Sequence, residues 1–395
     1  MRALAAIAVA AFAIGALGSC TWERRLIEGA EEAIGEGPFY ALPTPMPSGD
    51  PGDVVRSERL ASAPDGVVAY RVVYHSLDAH GDDALVSGVV AALDDPAPAG
   101  GRTVVSWGHP TTGTAPRCAP SNGIDPFDLI EGFGDLIAAG YTVAATDYSG
   151  MGIEGPDSYL ISDVEGRNML DIVRAVQQFD DLGASERVAL WGHSQGGHAV
   201  LAAADLADDY APELEVQAAS VAAPAADLTA LLDADLDTIS GVSIGSYAFT
   251  AYADVYAGSD GAELSTILTP EAVAAVPKMA DLCLLGQNSE LHDLGQPLIG
   301  NFVSSDPATT EPWASLLARN TPGADGFTIP LFVAQGATDT LVHPDLTKAY
   351  VERQQSLGTD VTFLSIPDTG HGLVADRAMP TLMPWLAEHA PPTGG

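Results

Sequence analysis

Lysine is almost missing from this chain: Lys278 and Lys348 are the two among 395 residues. Lysine and arginine together number 16 against 53 aspartates and glutamates, a formal charge of −37 at pH 7. A field of that sign repels nucleic acid and offers anionic lipid no polybasic handle. We read the acidity as solvation, a charged exterior that keeps an alanine-rich protein in solution. Cysteine is scarce too, with Cys20, Cys118 and Cys283 the three present. That excludes a disulfide-dense scaffold, and no C-x-x-C or Cys/His cluster points to zinc. Neither a metal nor a cofactor is expected. Apolar residues make up 47% of the chain, enough for a large core.

No apolar run is long enough to span a bilayer. The extended one, Ala3 to Leu17, follows Met1-Arg2 and reads as a secretory signal covering residues 1–19. It ends in Leu17-Gly-Ser-Cys20, the form of a bacterial lipoprotein cleavage box. Lipidated at Cys20, the protein would be held stably on a membrane. The alternative is ordinary cleavage and release. Either way the chain is exported, and Cys118 and Cys283 are left where two thiols are more often paired than free. A bridge between them would close a long loop and add about 4 kcal/mol.

Two ligand motifs fail on inspection. Asp233-x-Asp-x-Asp237 begins like a calcium loop, but Thr238 and Ile244 stand where its glycine and glutamate belong. Gly132-Phe-Gly134 lacks the third glycine of a dinucleotide loop and follows no strand.

What the chain does contain is Arg187-Val-Ala-Leu-Trp-Gly-His-Ser-Gln-Gly-Gly-His198. Arg187 to Trp191 reads as a buried strand, and His198 to Asp205 as an alanine- and leucine-rich helix. Between them lies G-x-S-x-G in the strand–turn–helix context that this motif requires. The turn exposes the Ser194 hydroxyl at the end of the strand and aims the helix N-terminus at any anion forming there. A turn with no chemistry is the alternative. Gly241-Val-Ser-Ile-Gly245 also matches the motif, but an aspartate-rich segment precedes it, so Ser243 reads as a loop serine.

Around this centre, strands are expected at 67–76, 84–93, 103–107, 141–146, 216–222, 329–334 and 361–366. Helices are expected at 125–139, 164–179, 344–356 and 379–389. Strands alternating with helices at this spacing argue for a mainly parallel sheet covered on both faces. Residues 20–66 read as an N-terminal arm. Residues 67–223 and 327–390 form the core, and 224–326 an inserted, mostly helical cap.

A serine hydroxyl needs a base, and in this architecture the order is serine, acid, histidine. Of His292, His343, His371 and His389, His371 follows the last strand, where a loop can carry it over the sheet edge. Asp339 lies in the loop after the preceding strand. Asp345 competes but suits a helix cap, and Asp368 suits a turn. The N–H of Gln195 and one near Thr111 or Thr112 would bind the oxyanion.

These pieces resemble the secretory lipases of the Candida lipase A type and their actinobacterial relatives, within the α/β-hydrolase fold. The resemblance rests on Cys118-Ala-Pro-Ser121, Thr146-Asp-Tyr-Ser-Gly150, Glu165-Gly-Arg-Asn-Met-Leu-Asp171, Gly192-His-Ser-Gln-Gly-Gly197, Tyr210-Ala-Pro-Glu-Leu214, Leu282-Cys283 and the Asp339 and His371 loops. It implies Ser194, Asp339 and His371 as a triad, an oxyanion loop at Thr111 or Thr112, and a Cys118–Cys283 bridge. Gln195 stands where the yeast enzymes have glycine, and the family's long C-terminal flap is absent, which leaves short-to-medium acyl esters open.

The leading reading is an ester hydrolase, lipase or carboxylesterase, acting through an acyl-enzyme on a small-molecule or lipid ester. The alternatives are the same triad on an amide or acetylated carbohydrate, and a non-catalytic surface lipoprotein retaining the fold. In the cap, Phe249, Tyr252 and Tyr256 share a helical face, and Phe249 or Tyr252 is expected to line the acyl pocket.

Overall fold

The computed structural model describes Arg25 and residues 37–393; the signal expected at 1–19 and Cys20 lie outside the described residues. Nine strands form one sheet: β1 (Val54–Arg59), β2 (Val67–Leu77), β3 (Asp83–Leu93), β4 (Arg102–Gly108), β5 (Thr142–Thr146), β6 (Ala184–His193), β7 (Glu215–Ala222), β8 (Leu331–Gly336) and β9 (Val361–Ile366). Their order is β1-β2-β3-β5-β4-β6-β7-β8-β9, parallel from β5 through β9 and antiparallel among the rest.

The central strands are apolar without a break because both faces of the sheet are covered. Val104, Val188 and Leu190 pack under helices α2 (Ser162–Val176) and α3 (Gln195–Tyr210). Their neighbours Val105, Ala189 and Trp191 point the other way, toward α1 (Phe133–Ala139) and α10 (Val374–His389).

Two elements differ from expectation. Strand β1 was not foreseen, because Arg56-Ser-Glu-Arg59 is a polar, half-exposed edge that β2 holds through its backbone. The single helix expected at 125–139 is broken into a 3₁₀ turn at Pro126–Leu129 and α1. The break is Gly132, whose φ of +84° is left-handed and where a Cβ would stand 2.3 Å from Met379.

Between β7 and β8 lie α4 (Leu228–Asp235), α5 (Ile239–Asp260), α6 (Pro270–Ala280), α7 (Leu284–Gly295) and α8 (Trp313–Arg319). With Tyr159, Leu160, Ile161 and Val164 from the core they bury a further apolar cluster that includes Val242, Tyr247, Phe249, Phe302 and Trp313. Ser243 is therefore not a loop serine. It is buried inside α5 with its hydroxyl donating to the Ile239 carbonyl at 2.8 Å. The aspartates that suggested a loop belong to the end of α4 and the turn behind it, and Thr238 caps α5 through the Gly241 N–H. Both glycines of that motif serve packing: a Cβ on Gly241 would meet the Asp235 carbonyl at 1.9 Å, and one on Gly245 the Phe302 ring at 2.9 Å. The Cys118–Cys283 disulfide ties this helical segment to the loop after β4. Among the described residues no helix is long and apolar enough to cross a membrane.

Candidate active site

Ser194 directly follows β6 and is the N-cap of α3 with φ 58° and ψ −114°, a region that side chains avoid. The surroundings hold it there. Its N–H donates to the Ala222 carbonyl at 3.0 Å, and its carbonyl accepts from Ala225 and His198 at 3.0 and 3.2 Å. The turn exists only because glycines let backbone cross backbone. A Cβ on Gly192 would sit 2.2 Å from the Gly196 carbonyl oxygen, and one on Gly196 would sit 1.8 Å from that of Gly108.

Asp339 lies in the turn after β8, and His371 in a short 3₁₀ turn after β9. His371 Nδ1 is 2.8 Å from Asp339 Oδ2. A carboxylate only accepts, so Nδ1 carries the proton and Nε2 is left free to act as a base. Asp339 Oδ1 accepts the N–H groups of Leu341 and Val342 at 2.9 and 3.0 Å. Burial works to raise this carboxyl, but the hydrogen bond and charge of His371, with those N–H groups, outweigh it and hold it below the ordinary carboxylate value.

The other candidates stand elsewhere. Asp345 sits in the first turn of α9 (Pro344–Leu357), and Asp368 adopts a left-handed turn with φ +49°. His389 bonds the Trp385 carbonyl at 2.8 Å, and His343 pairs with Asp235.

Gln195 opens α3, so its N–H belongs to the unpaired donors of that helix end. Its side-chain Nε2 donates to Glu165 Oε1 at 2.7 Å. The buried Glu165 also accepts from His198 Nδ1 at 2.7 Å and from the Leu160 N–H at 2.9 Å. A cavity of about 690 Å³, open mouth included, has Ser194, Gln195 and Thr111 in its wall. Thr112 is not in that wall: its hydroxyl donates to the Cys118 carbonyl at 2.9 Å, and its own carbonyl takes the Leu284 N–H at 2.9 Å. Thr112 thus belongs to the disulfide region, and Thr111 to the cavity.

The cap aromatics divide in the same way. Tyr252 lines the cavity with Gly241, Ile244 and Ala248, positions three or four apart on one face of α5. Phe249 does not line it. One residue past Ala248 it has turned about 100° around the helix, and it packs on Phe302 and Trp313 with ring centroids 6.0 and 5.4 Å away.

One pair near the site was missed by sequence reasoning. The His193 ring packs on His371 with centroids 4.8 Å apart, and its Nδ1 is 2.9 Å from Glu131. No local spacing joins residues 131, 193 and 371; the sheet edge does.

The family model for secretory lipases matches residues 133–390. Lipase A of Moesziomyces aphidis is 23% identical over 365 residues, spanning 85% of this chain and 76% of that protein. The probable inactive lipase MT1628 of Mycobacterium tuberculosis is 24% identical over 383 residues, 89% of this chain and 81% of its own. The crystal structure of Candida antarctica lipase A in its closed state superimposes with a TM-score of 0.73 at 19% identity, covering 91% of this chain and 86% of that one. At that identity the likeness is one of fold, and the fold is the α/β-hydrolase arrangement of a mostly parallel sheet with helices. With the family match running through the Ser194 turn and the Asp339 and His371 loops, the chain belongs to the secretory lipase family.

Proposed function

We propose that this chain is an exported serine ester hydrolase acting through an acyl-enzyme. The observation that carries the reading is the 2.8 Å Asp339–His371 bond, made beside the residue preceding a strained serine turn. In this reading His371 Nε2 takes the Ser194 proton as Oγ attacks the ester carbonyl. The tetrahedral oxyanion is met by the Gln195 N–H and by the backbone at Thr111, each such donor contributing about 3 kcal/mol to the transition state. His371 then returns the proton to the departing alcohol, and water reverses the sequence to free the acid. The leucines of α4 and α8 in the cavity wall favour a carbon chain as the acyl group over an amide or an acetylated sugar. The cap is taken to be 224–326, between the two parts of the core, and export follows the family. The lipidation proposed for Cys20 is tested by mass spectrometry of the exported N-terminus.

The relative named probable inactive makes the decisive test one of activity. A fluorophosphonate probe should label Ser194, and Ser194→Ala should lower turnover of p-nitrophenyl butyrate about 10⁴-fold or more with unchanged melting. Normal turnover by that variant, or labelling that survives it, would refute the assignment. A wild-type protein that neither reacts with the probe nor cleaves esters supports the non-catalytic reading instead.

A further inference from the structure

Asp233, Asp235 and Asp237 are near neighbours in the chain, yet only Asp235 of the three is buried. The cause is helical phase. Leu228, Leu231 and Leu232 form one stripe of α4, spaced three and four apart, and the next positions on that stripe are 235 and 236. Leu228, Leu231, Leu232 and Leu236 all line the cavity that contains Ser194, and so does Asp235. A carboxylate stands where the period of the stripe calls for another leucine.

A carboxylate withdrawn from water needs partners. Three deeper carboxylates have them. Asp147 is bonded by Ser87 and Ser121, Asp171 by Ser76, Tyr210 and Arg174, and Glu165 by His198, Gln195 and the Leu160 N–H. Among the described residues the Asp235 side chain has His343 Nε2 alone, at 3.5 Å. Burial pushes its carboxyl up, and His343 draws it part of the way back.

Apart from Ser194, assigned above as the nucleophile, the other polar side chains of the wall already have hydrogen-bond partners or are sealed. Thr111 and Tyr159 bond each other at 2.7 Å, and the Tyr252 hydroxyl donates to the Leu160 carbonyl at 3.0 Å. Gln195 Oε1 has no hydrogen-bond partner but is sealed from solvent, while its Nε2 is turned to the acceptor-only Glu165. Beyond the Ser194 hydroxyl, the acceptor in the wall with spare capacity is Asp235, whose one partner is His343 at 3.5 Å.

We propose that Asp235 is a specificity-determining residue, whose carboxylate accepts a hydrogen bond from a hydroxyl carried by the bound ester and turns away chains that end in a carboxylate. The inference rests on the ester-hydrolase reading above. The hydroxyl belongs either to the acyl chain or to the alcohol, and the substrates below separate the two.

The full exported protein and the variants Asp235→Leu and Asp235→Asn are compared by kcat/KM on ethyl hexanoate, ethyl 6-hydroxyhexanoate, 4-hydroxybutyl hexanoate and monoethyl adipate. In Asp235→Leu the ratio of at least one hydroxy ester to ethyl hexanoate should fall about tenfold or more relative to wild type, the scale of a hydrogen bond to a charged acceptor. The ester that loses identifies which part carries the hydroxyl. In Asp235→Asn, which keeps an acceptor oxygen, that ratio should fall less, and where the acyl chain is the part that carries the hydroxyl, monoethyl adipate should gain about tenfold on ethyl hexanoate. Should Asp235→Leu fail to fold, the fall of a hydroxy-ester ratio in Asp235→Asn decides, with the adipate gain beside it where the acyl ester is the one that loses. Ratios unchanged from wild type in the folded variants overturn the assignment while leaving the hydrolase reading intact. Wild-type protein that turns over none of the four esters removes the hydrolase reading and this inference with it.

Discussion

At Asp339 two pressures oppose each other, and His371 decides between them. The carboxyl is buried but held below its ordinary range by His371 and two backbone N–H groups. A depressed carboxyl binds its proton less tightly in the folded chain than in the unfolded one. It therefore adds stability above the unfolded value of about 3.9, and that stability is lost as pH falls through the lower folded value. Asp339→Asn should melt below wild type at pH 7, with the gap closing as melting is followed down toward pH 3. The same variant should lose about 10⁴-fold in kcat, because the amide no longer selects the His371 tautomer that leaves Nε2 as base. A gap that stays constant with pH would mean that Asp339 carries no charge worth counting. Ser194, Asp339 and His371 are legible as residues because each follows a strand in a known order. The Glu131–His193 pair is not, since nothing along the chain records that residues 131 and 371 flank residue 193.

Helix α5 shows how far periodicity reaches within one element. Positions 249, 252 and 256 share a face by spacing, but the cavity touches the neighbouring face of 241, 244, 248 and 252. Tyr252 belongs to both because it sits at the border. Tyr252→Ala should shift preference among acetate, butyrate, octanoate and palmitate esters. Phe249→Ala should leave that profile unchanged and lower stability by about 3–5 kcal/mol, since it opens a void against Phe302 and Trp313. Chain-length profiles and melting curves on both variants check this; a shifted profile for Phe249→Ala would return it to the pocket wall. The misplaced elements have local causes of the same kind. Ser243 lies in a helix whose glycines mimic a turn, and α1 starts late because Gly132 makes room for Met379 from the far end of the chain.

For the molecule as a whole, one of the contacts that join the helical segment to the core is covalent. Cys118 and Cys283 are 165 residues apart, and closing a loop of that length is worth about 4–5 kcal/mol in chain entropy. Thiol titration of the exported protein under denaturing conditions should find neither free, and the double serine variant should melt lower. Two reactive thiols would remove the staple from the account. Composition and period along the chain determined the alternating parallel sheet, the glycine-flanked Ser194 turn and the acidic charge, because each is written in residues that are neighbours in sequence. Only the tertiary structure decided which side chains face the cavity. Thr111 rather than Thr112, Tyr252 rather than Phe249, and Asp235 among its neighbouring aspartates are chosen by a rotation of about 100° per helical residue, or by the alternation of a loop, and local spacing leaves the phase of that rotation free until another element packs against it.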